Sequence, residues 1–177
     1  MKLTAVELHR LRLPLVAPFR TSFGTETERD VLLVRVATPD AEGWGECVAL
    51  AEPVYSSEYV DAAEHVLRTH LIPRVAALPR LTAAMVAPAL ATVKGHRMAK
   101  AALETAVLDA ELRTAGIPLS RHLGAVHDRV PAGVSVGIMD SVEALLDTVA
   151  GYLAEGYLRI KLKIEPGWDV APVRAVR

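Results

Sequence analysis

Near residue 129 the hydrophobic pattern of this chain changes from strands followed by helices to strand, helix, strand. That change most limits the folds available to the chain. Residues 1–50 contain alternating, strand-like stretches, and residues 57–115 then carry apolar side chains at helical spacing. From residue 129 onward the pattern becomes strand, helix, strand. Strands followed by helices indicate an α+β domain, whereas a strand–helix–strand unit is typical of a parallel sheet with a right-handed crossover.

The first part predicts three strands, over residues 3–15, 31–37 and 44–50. The turn residues 39–43 should join the last two strands in a hairpin. Pro14 and Pro18 are expected to end the first strand, because proline cannot donate a hydrogen bond to a β-ladder. Residues 16–29 are therefore interpreted as a mobile polar loop.

Helical spacing predicts three helices in the middle of the chain, over residues 57–71, 81–93 and 96–115. Pro73 should end the first of them, and Pro88 weakens the second. The third has the clearest pattern, since apolar residues recur every three or four positions and Gly116 and Pro118 follow it.

The last part predicts strands over 129–138 and 157–164 around a helix capped by Asp140 and Glu143. Another helix begins at Val170 and has no stop signal before residue 177. Two parallel strands would leave sheet faces uncovered. We therefore expect the front part of a longer α/β protein, the alternative being a chain whose faces a partner covers.

Composition excludes several function classes. The formal net charge of −1 gives no global basic field for nucleic acid or an anionic membrane. No apolar stretch is long enough to span a membrane, and the N-terminus does not resemble a signal peptide. The single cysteine, Cys47, fits a reducing compartment, so we expect a cytoplasmic protein. A mean hydropathy of +0.27 suggests apolar surface that is buried against something else.

The sequence Lys161-Leu162-Lys163 lies on the last predicted strand. Because strand side chains alternate, the two lysines share one face. Neighbouring ammonium groups repel, which favours the neutral amine that can act as a general base. Two lysines on a solvated strand face are the alternative, although strands of βαβ units are rarely half solvated.

Several segments carry a resemblance to a known family over essentially the whole chain. The segments are LVAPFRTSFG at 15–24, GWGEC at 43–47, YSSEY at 55–59, KGHRMAKAALETAVLDAELR at 94–113, GVSVGIMD at 133–140 and GYLRIKLKIEPGWDVAPVRAVR at 156–177. They are similar to the muconate-lactonizing subgroup of the enolase superfamily, especially its N-acylamino acid racemase and o-succinylbenzoate synthase branch. The resemblance implies an α+β capping domain over residues 1–128. The start of a modified TIM barrel, an α/β barrel that is incomplete here, would occupy residues 129–177.

The chemistry implied by the resemblance is abstraction of a proton next to a carboxylate, with Mg²⁺ stabilising the enolate; this superfamily is a standard example of that chemistry. Lys163 would be the base, and Lys161 its auxiliary neighbour. The family's acidic metal ligands would lie beyond Arg177, so this chain supplies none. Neither Glu165 nor Asp169 is assigned to a metal, and the six histidines are interpreted as solvated or structural.

The resemblance also implies substrate-binding residues. Phe19, Phe23, Leu50 and Tyr55 would line a pocket for the acyl side chain. Arg20 could bind a carboxylate, and Ser135 on the first barrel strand could donate a hydrogen bond to the substrate. Packing and loop anchoring remain the alternatives for these residues. Trp44 and Cys47 are interpreted as structural.

These expectations describe an N-succinylamino acid racemase or o-succinylbenzoate synthase that acts on a small carboxylate, with no nucleic-acid or membrane partner, as a homo-oligomer. A dipeptide epimerase is an alternative within the subgroup. A non-catalytic fragment, consisting of the capping domain and a barrel stub, is the alternative from another class, and the 177 residues alone are expected to be inactive.

Overall fold

The structure is a computed structural model that describes residues Met1–Arg177. The chain forms two compact units. The first unit contains Met1–Leu13 and Arg29–Ala125. The second contains Pro14–Glu28 and Val126–Arg177.

An antiparallel hairpin begins the fold, with β1 at Ala5–Thr21 and β2 at Gly24–Ala37. The sheet order is β1-β2-β3, so β1 is an edge strand. The expectation that Pro14 and Pro18 end the first strand is wrong, because an edge strand tolerates proline where no partner needs its N–H. The predicted loop over 16–29 is also wrong, since only a two-residue turn at Ser22 and Phe23 separates β1 from β2.

The predicted hairpin between the second and third strands is confirmed. Strand β3 spans Glu42–Cys47 and pairs antiparallel with β2, from Leu32 opposite Cys47 to Ala37 opposite Glu42. Ion pairs brace this sheet on its polar face. The Arg35 guanidinium lies 2.6 Å from Glu42 and lowers the pKa of that carboxyl group.

Two glycines of β3 lie directly against helix α4, which spans Arg97–Ala115. A Cβ atom on Gly43 would lie 2.2 Å from the carbonyl oxygen of Ala106, and one on Gly45 would lie 2.0 Å from that of Ala102. Because no side chain fits at such distances, the Gly-Trp-Gly motif permits contact between the two backbones. The predicted helix over 96–115 is confirmed, and Gly116 ends it in the left-handed conformation with φ of 64°.

The helical segment before α4 is longer than predicted and changes its winding. Helix α1 covers Val60–Val66, a π-helical segment follows at Leu67–Leu71, and α2 continues over Ile72–Ala76. Pro73 therefore does not end the helix as expected. It lies in the first turn of α2, immediately after the wide π turn, where its missing N–H removes no regular helical hydrogen bond.

Two short helices complete the helical elements of the first unit. Helix α3 spans Ala83–Ala89 and is shorter than predicted, and α5 spans Leu119–His122. The core of this unit is one cluster of twenty buried residues, which include Leu32, Leu67 and Leu103. Cys47 belongs to it, and burial raises the pKa of its thiol.

The second unit contains the predicted βαβ arrangement. Strand β4 spans Val134–Val136, α6 spans Val142–Ala154, and β5 spans Ile160–Leu162. The strands are parallel, as predicted, but both are shorter than the sequence pattern indicated. Helix α7 spans Val170–Val176, and its cap is Asp169, whose side chain accepts from the backbone N–H of Val170 at 2.6 Å.

The start of α6 differs by one residue from the prediction. Ser141, not Asp140, is the cap, and its hydroxyl accepts a hydrogen bond from the backbone N–H of Ala144 at 3.1 Å. One side of the two-stranded sheet packs against α6, where Val136, Leu145 and Val149 form the buried cluster of this unit. The other side of the sheet carries its polar residues.

Candidate active site

The polar face of the parallel sheet carries both predicted catalytic lysines. Ile160 and Leu162 pack toward the cluster against α6, so Lys161 and Lys163 project from the opposite face. The backbone N–H of Lys163 donates to the carbonyl oxygen of Val136 at 2.9 Å, which extends the ladder by one residue beyond β5. Lys163 is thus held at the carboxyl end of a parallel strand, where α/β barrels carry their active sites.

Ser135 lies opposite Lys161 in the register of the two strands. Both side chains are exposed, and both line an open cavity of about 400 Å³ on the polar face. The hydroxyl group and the ammonium group therefore share one accessible surface. This arrangement is compatible with the substrate-binding role predicted for Ser135, and with the auxiliary role predicted for Lys161.

The tip of the β1–β2 hairpin contributes an aromatic ring next to Lys163. The Lys163 ammonium nitrogen lies 5.6 Å from the centroid of the Phe19 ring, within the range of a cation–π contact. The neighbouring backbone is anchored to the same place, because the N–H of Ile138 donates to the carbonyl oxygen of Arg20 at 3.0 Å. A Cβ on Gly137 would lie 3.3 Å from that oxygen, so a glycine there allows the close approach.

The side chain of Arg20 is directed at two carboxylates of the protein. Its Nη2 atom lies 2.9 Å from Glu165 Oε1, and its Nη1 atom lies 3.5 Å from Asp140 Oδ1. Sequence reasoning named Arg20 as a substrate-binding residue but did not find these partners. The sequence pattern predicts Glu165 in a turn, without a role, and Asp140 at the start of a helix.

The segment after β5 explains how Glu165 reaches Arg20. Pro166 and Gly167 form the two central positions of a tight turn, with Gly167 at φ of 87°. The backbone groups of Glu165 and Trp168 bond to each other across it, at 2.9 and 3.2 Å. Proline followed by a glycine with positive φ is typical of a type II turn. The Glu-Pro-Gly-Trp sequence thus fixes the position of the Glu165 carboxylate relative to Lys163.

The other predicted substrate-binding residues lie elsewhere. Phe23 is 43 % exposed in the hairpin turn of the second unit. Leu50 and Tyr55 belong to the first unit, and Tyr55 is 72 % exposed. Leu50 is anchored through its carbonyl oxygen, which accepts from Val60 N–H at 2.9 Å.

The loop that carries Tyr55 is fixed where it meets α4. Glu58 accepts hydrogen bonds from the backbone N–H groups of Arg97 and Met98, at 2.6 and 2.9 Å. A carboxylate at this end of a helix pairs with otherwise unbonded N–H groups and with the positive end of the helix dipole.

No group of three or more histidine, cysteine, aspartate or glutamate side chains is placed to hold an ion. Asp140 and Glu165 are both paired with Arg20. Two carboxylates that face a guanidinium group do not fit the oxygen-rich shell that Mg²⁺ requires.

Comparison with known proteins connects this geometry to a family. Residues 4–124 match the model of the N-terminal domain of the mandelate racemase / muconate lactonizing enzyme family. The chain belongs to that family, within the enolase superfamily. The predicted fold class is thereby confirmed, because the match is to the N-terminal domain that precedes the barrel in this superfamily.

The relatives of this family member are about twice its length. An N-succinylamino acid racemase of Amycolatopsis is 66 % identical over 177 residues, which are 100 % of this chain and 48 % of the relative. An o-succinylbenzoate synthase of Geobacillus kaustophilus is 43 % identical over 97 % of this chain and 46 % of its own length. This chain spans about half the length of the curated relatives it matches.

Solved structures give the same result for the fold. A probable mandelate racemase from Alicyclobacillus acidocaldarius superposes with a TM-score of 0.88 at 40 % identity, over 99 % of this chain and 48 % of that one. The L-Ala-D/L-Glu epimerase of Bacillus subtilis superposes with a TM-score of 0.87 at 28 % identity, over 100 % of this chain and 50 % of that one. No helix here has the length and apolar character needed to cross a membrane.

Proposed function

We propose that this chain carries the base of an enzyme that removes the proton next to a carboxylate, of the N-succinylamino acid racemase or o-succinylbenzoate synthase type. The single observation that supports this most is the position of Lys161 and Lys163 on the polar face at the carboxyl end of β5. The identity of 66 % to an N-succinylamino acid racemase agrees with it. An L-Ala-D/L-Glu epimerase is a more distant relative at 28 %, which makes dipeptide epimerisation the weaker candidate.

Lys163 is the proposed base. Its amine would take the α-proton of the substrate, leaving the electron pair on the enolate of the carboxylate. Lys161, two residues earlier on the same face, would be its auxiliary neighbour and contact the substrate carboxylate. Racemisation then returns a proton to the opposite face, whereas the synthase reaction expels water.

The proposed substrate is a small N-acylamino acid or a related carboxylate. Phe19, Phe23, Leu50 and Tyr55 are the proposed contacts for its acyl arm, because apolar and aromatic walls suit a partly aliphatic group. Ser135 is proposed to donate a hydrogen bond from the sheet. The Mg²⁺ ion that the superfamily implies would stabilise the charge of the enolate.

We assign residues 1–128 to the capping domain and 129–177 to the first part of a TIM barrel. We also propose a homo-oligomer in the cytoplasm with no nucleic-acid or membrane partner. The near-neutral charge supports the absence of those partners, and the single buried cysteine supports the compartment.

The decisive experiment is exchange of the α-proton, followed by NMR in D₂O with N-succinyl-phenylalanine and Mg²⁺. Two samples are compared: the 177-residue chain alone, and the same chain joined to the remaining half of the Amycolatopsis racemase. Exchange is expected in the joined protein and should fall at least about 10³-fold in Lys163→Met, because the proposed base is removed. Lys94→Met, an exposed lysine outside the site, is the matched control.

The outcomes separate the candidates. Exchange in the joined protein but not in the chain alone would support the non-catalytic fragment as the description of these 177 residues. Exchange by the chain alone would require a metal site within it. A joined protein that is active and unaffected by Lys163→Met would refute the proposed role of Lys163.

A further inference from the structure

The hairpin tip and the strand that carries Lys163 are joined by one side chain. Arg20 lies beside Phe19 on β1, and its guanidinium group contacts Glu165, two residues after Lys163. The Phe19 ring is in turn the aromatic group beside the Lys163 ammonium nitrogen, at 5.6 Å. Phe19 and Arg20 are neighbours on β1, and they contact Lys163 and Glu165, respectively, which both follow β5.

The two carboxylates that face Arg20 are not equivalent. The Glu165 side chain is 27 % exposed and lies 2.9 Å from the guanidinium group. The Asp140 side chain is fully exposed and lies 3.5 Å away. Because solvent screens exposed pairs and long contacts are weak, the Glu165 pair holds Arg20 and the Asp140 pair adds little.

The backbone holds both partners of the Arg20–Glu165 pair in place. The tight turn at Pro166 and Gly167 fixes Glu165, and the Ile138 N–H fixes the carbonyl oxygen of Arg20. An arginine suits such a place because its planar fork keeps one orientation toward a carboxylate, whereas a lysine ammonium group does not.

We propose that Arg20 is a positioning residue for Lys163: its pair with Glu165 holds the hairpin tip so that the Phe19 ring orients the Lys163 amine. This inference rests on the proposed function, because it takes Lys163 to be the base. It differs from the role that the sequence suggested, in which Arg20 binds the substrate carboxylate. Because the Arg20 guanidinium group is paired with Glu165, it acts on Lys163 through the hairpin tip and does not need to touch the substrate.

The test separates the two roles by kinetics. In whichever form of the protein exchanges the α-proton, Arg20→Met and Glu165→Gln should each lower kcat about 10- to 100-fold and leave KM nearly unchanged, since misplacing a reacting group acts on the chemical step. The double variant should be no worse than either single variant. Arg20→Lys should recover only part of the loss, and Asp140→Asn and Arg12→Met are the matched controls.

A second readout does not depend on turnover. Hydrogen exchange of the Ile138 amide in the 177-residue chain should accelerate about threefold or more in Arg20→Met and Glu165→Gln, because the hairpin tip is released. Arg12→Met, on the same strand, should leave it unchanged. If the protein proves inactive, the proposed function fails, and this amide still reports whether the Arg20–Glu165 contact holds the tip.

Two results would overturn the inference. One is a rise in KM with kcat unchanged in Arg20→Met while Glu165→Gln is silent, which would return Arg20 to a substrate-binding role. The other is an Ile138 amide that exchanges at the same rate in all variants, which would show that the pair does not hold the tip.

Discussion

The two units each pack strands against a helix, but they do so in different ways. In the first unit, β3 touches α4 through the backbones of Gly43 and Gly45, within a core of twenty buried residues. In the second unit, β4 and β5 touch α6 through side chains, and the buried cluster has three members. The backbone contact in the first unit cannot adjust through side-chain rotamers, whereas the side chains that form the contact in the second unit can repack.

This difference coincides with where the reactive groups lie. The first unit buries its cysteine and uses charged groups to brace strands and cap α4. In the second unit, one face of the sheet packs against α6 and the other carries Ser135, Lys161 and Lys163. The proposed reactive groups therefore lie on the side of this sheet opposite its packed face.

The largest expected effect is at the backbone contact. Gly45→Ala would place a Cβ 2.0 Å from the carbonyl oxygen of Ala102, and a helix backbone cannot move aside as a side chain can. We expect a loss of about 3 kcal/mol or more in the free energy of unfolding. Urea unfolding followed by the fluorescence of Trp44, in a Trp168→Phe background, would measure it. A loss below about 1 kcal/mol would contradict the rigid contact.

Truncation of one buried leucine in each unit tests the two cores directly. Leu103→Ala should cost about 4 kcal/mol, because the dense core leaves a cavity that cannot collapse. Leu145→Ala should cost nearer about 2 kcal/mol, because the thin core can close around the gap. Trp44 and Trp168 report the two units separately when the other is changed to phenylalanine. Equal losses in the free energy of unfolding for the two variants would contradict a difference between the two cores.

A smaller effect is expected from an ion pair in the first unit. Arg10 donates to Asp30 at 2.9 Å and lowers the pKa of that carboxyl group. A folded pKa below the unfolded one means that the pair stabilises the protein above about pH 4 and is lost as the pH falls through the folded pKa. Asp30→Asn and Arg10→Met should therefore flatten the fall of unfolding free energy below that pH, measured by urea titration. An unchanged slope in both variants would show that the pair contributes nothing.

The smallest effect is a gain in the second unit. Gly151 lies inside α6, and a Cβ there would meet nothing within 4 Å. Gly151→Ala should raise the free energy of unfolding by about 0.5–1 kcal/mol, because alanine restricts the unfolded chain more than glycine. Thermal unfolding followed by Trp168 fluorescence would detect it. A loss of stability would mean that α6 is more crowded than the structure shows.

Sequence patterns predicted the elements better than their ends. The hairpin of β2 and β3, helix α4 and the parallel pair of β4 and β5 are confirmed because periodicity and turn residues agree there. The element ends predicted at Pro14, Pro18 and Pro73 are wrong. The effect of a proline there depends on an edge strand or on a π turn, which no local pattern reveals. Alternation places the two lysines on one face and the resemblance gives them their predicted role, but no local pattern reveals the Arg20–Glu165 pair, which is 145 residues apart.

The π-helical segment Leu67–Leu71 has a consequence for the history of the chain. Its hydrogen bond from Ile72 N–H to the carbonyl oxygen of Leu67 spans five residues, which is one more than an α-helix uses. Such a bulge is what a one-residue insertion leaves behind when the helix on both sides keeps its packing. Deleting Thr69 should therefore restore a regular α-helix and leave Val75 buried. Relatives that lack the bulge should therefore show a one-residue gap at this segment while the buried positions that follow it stay aligned.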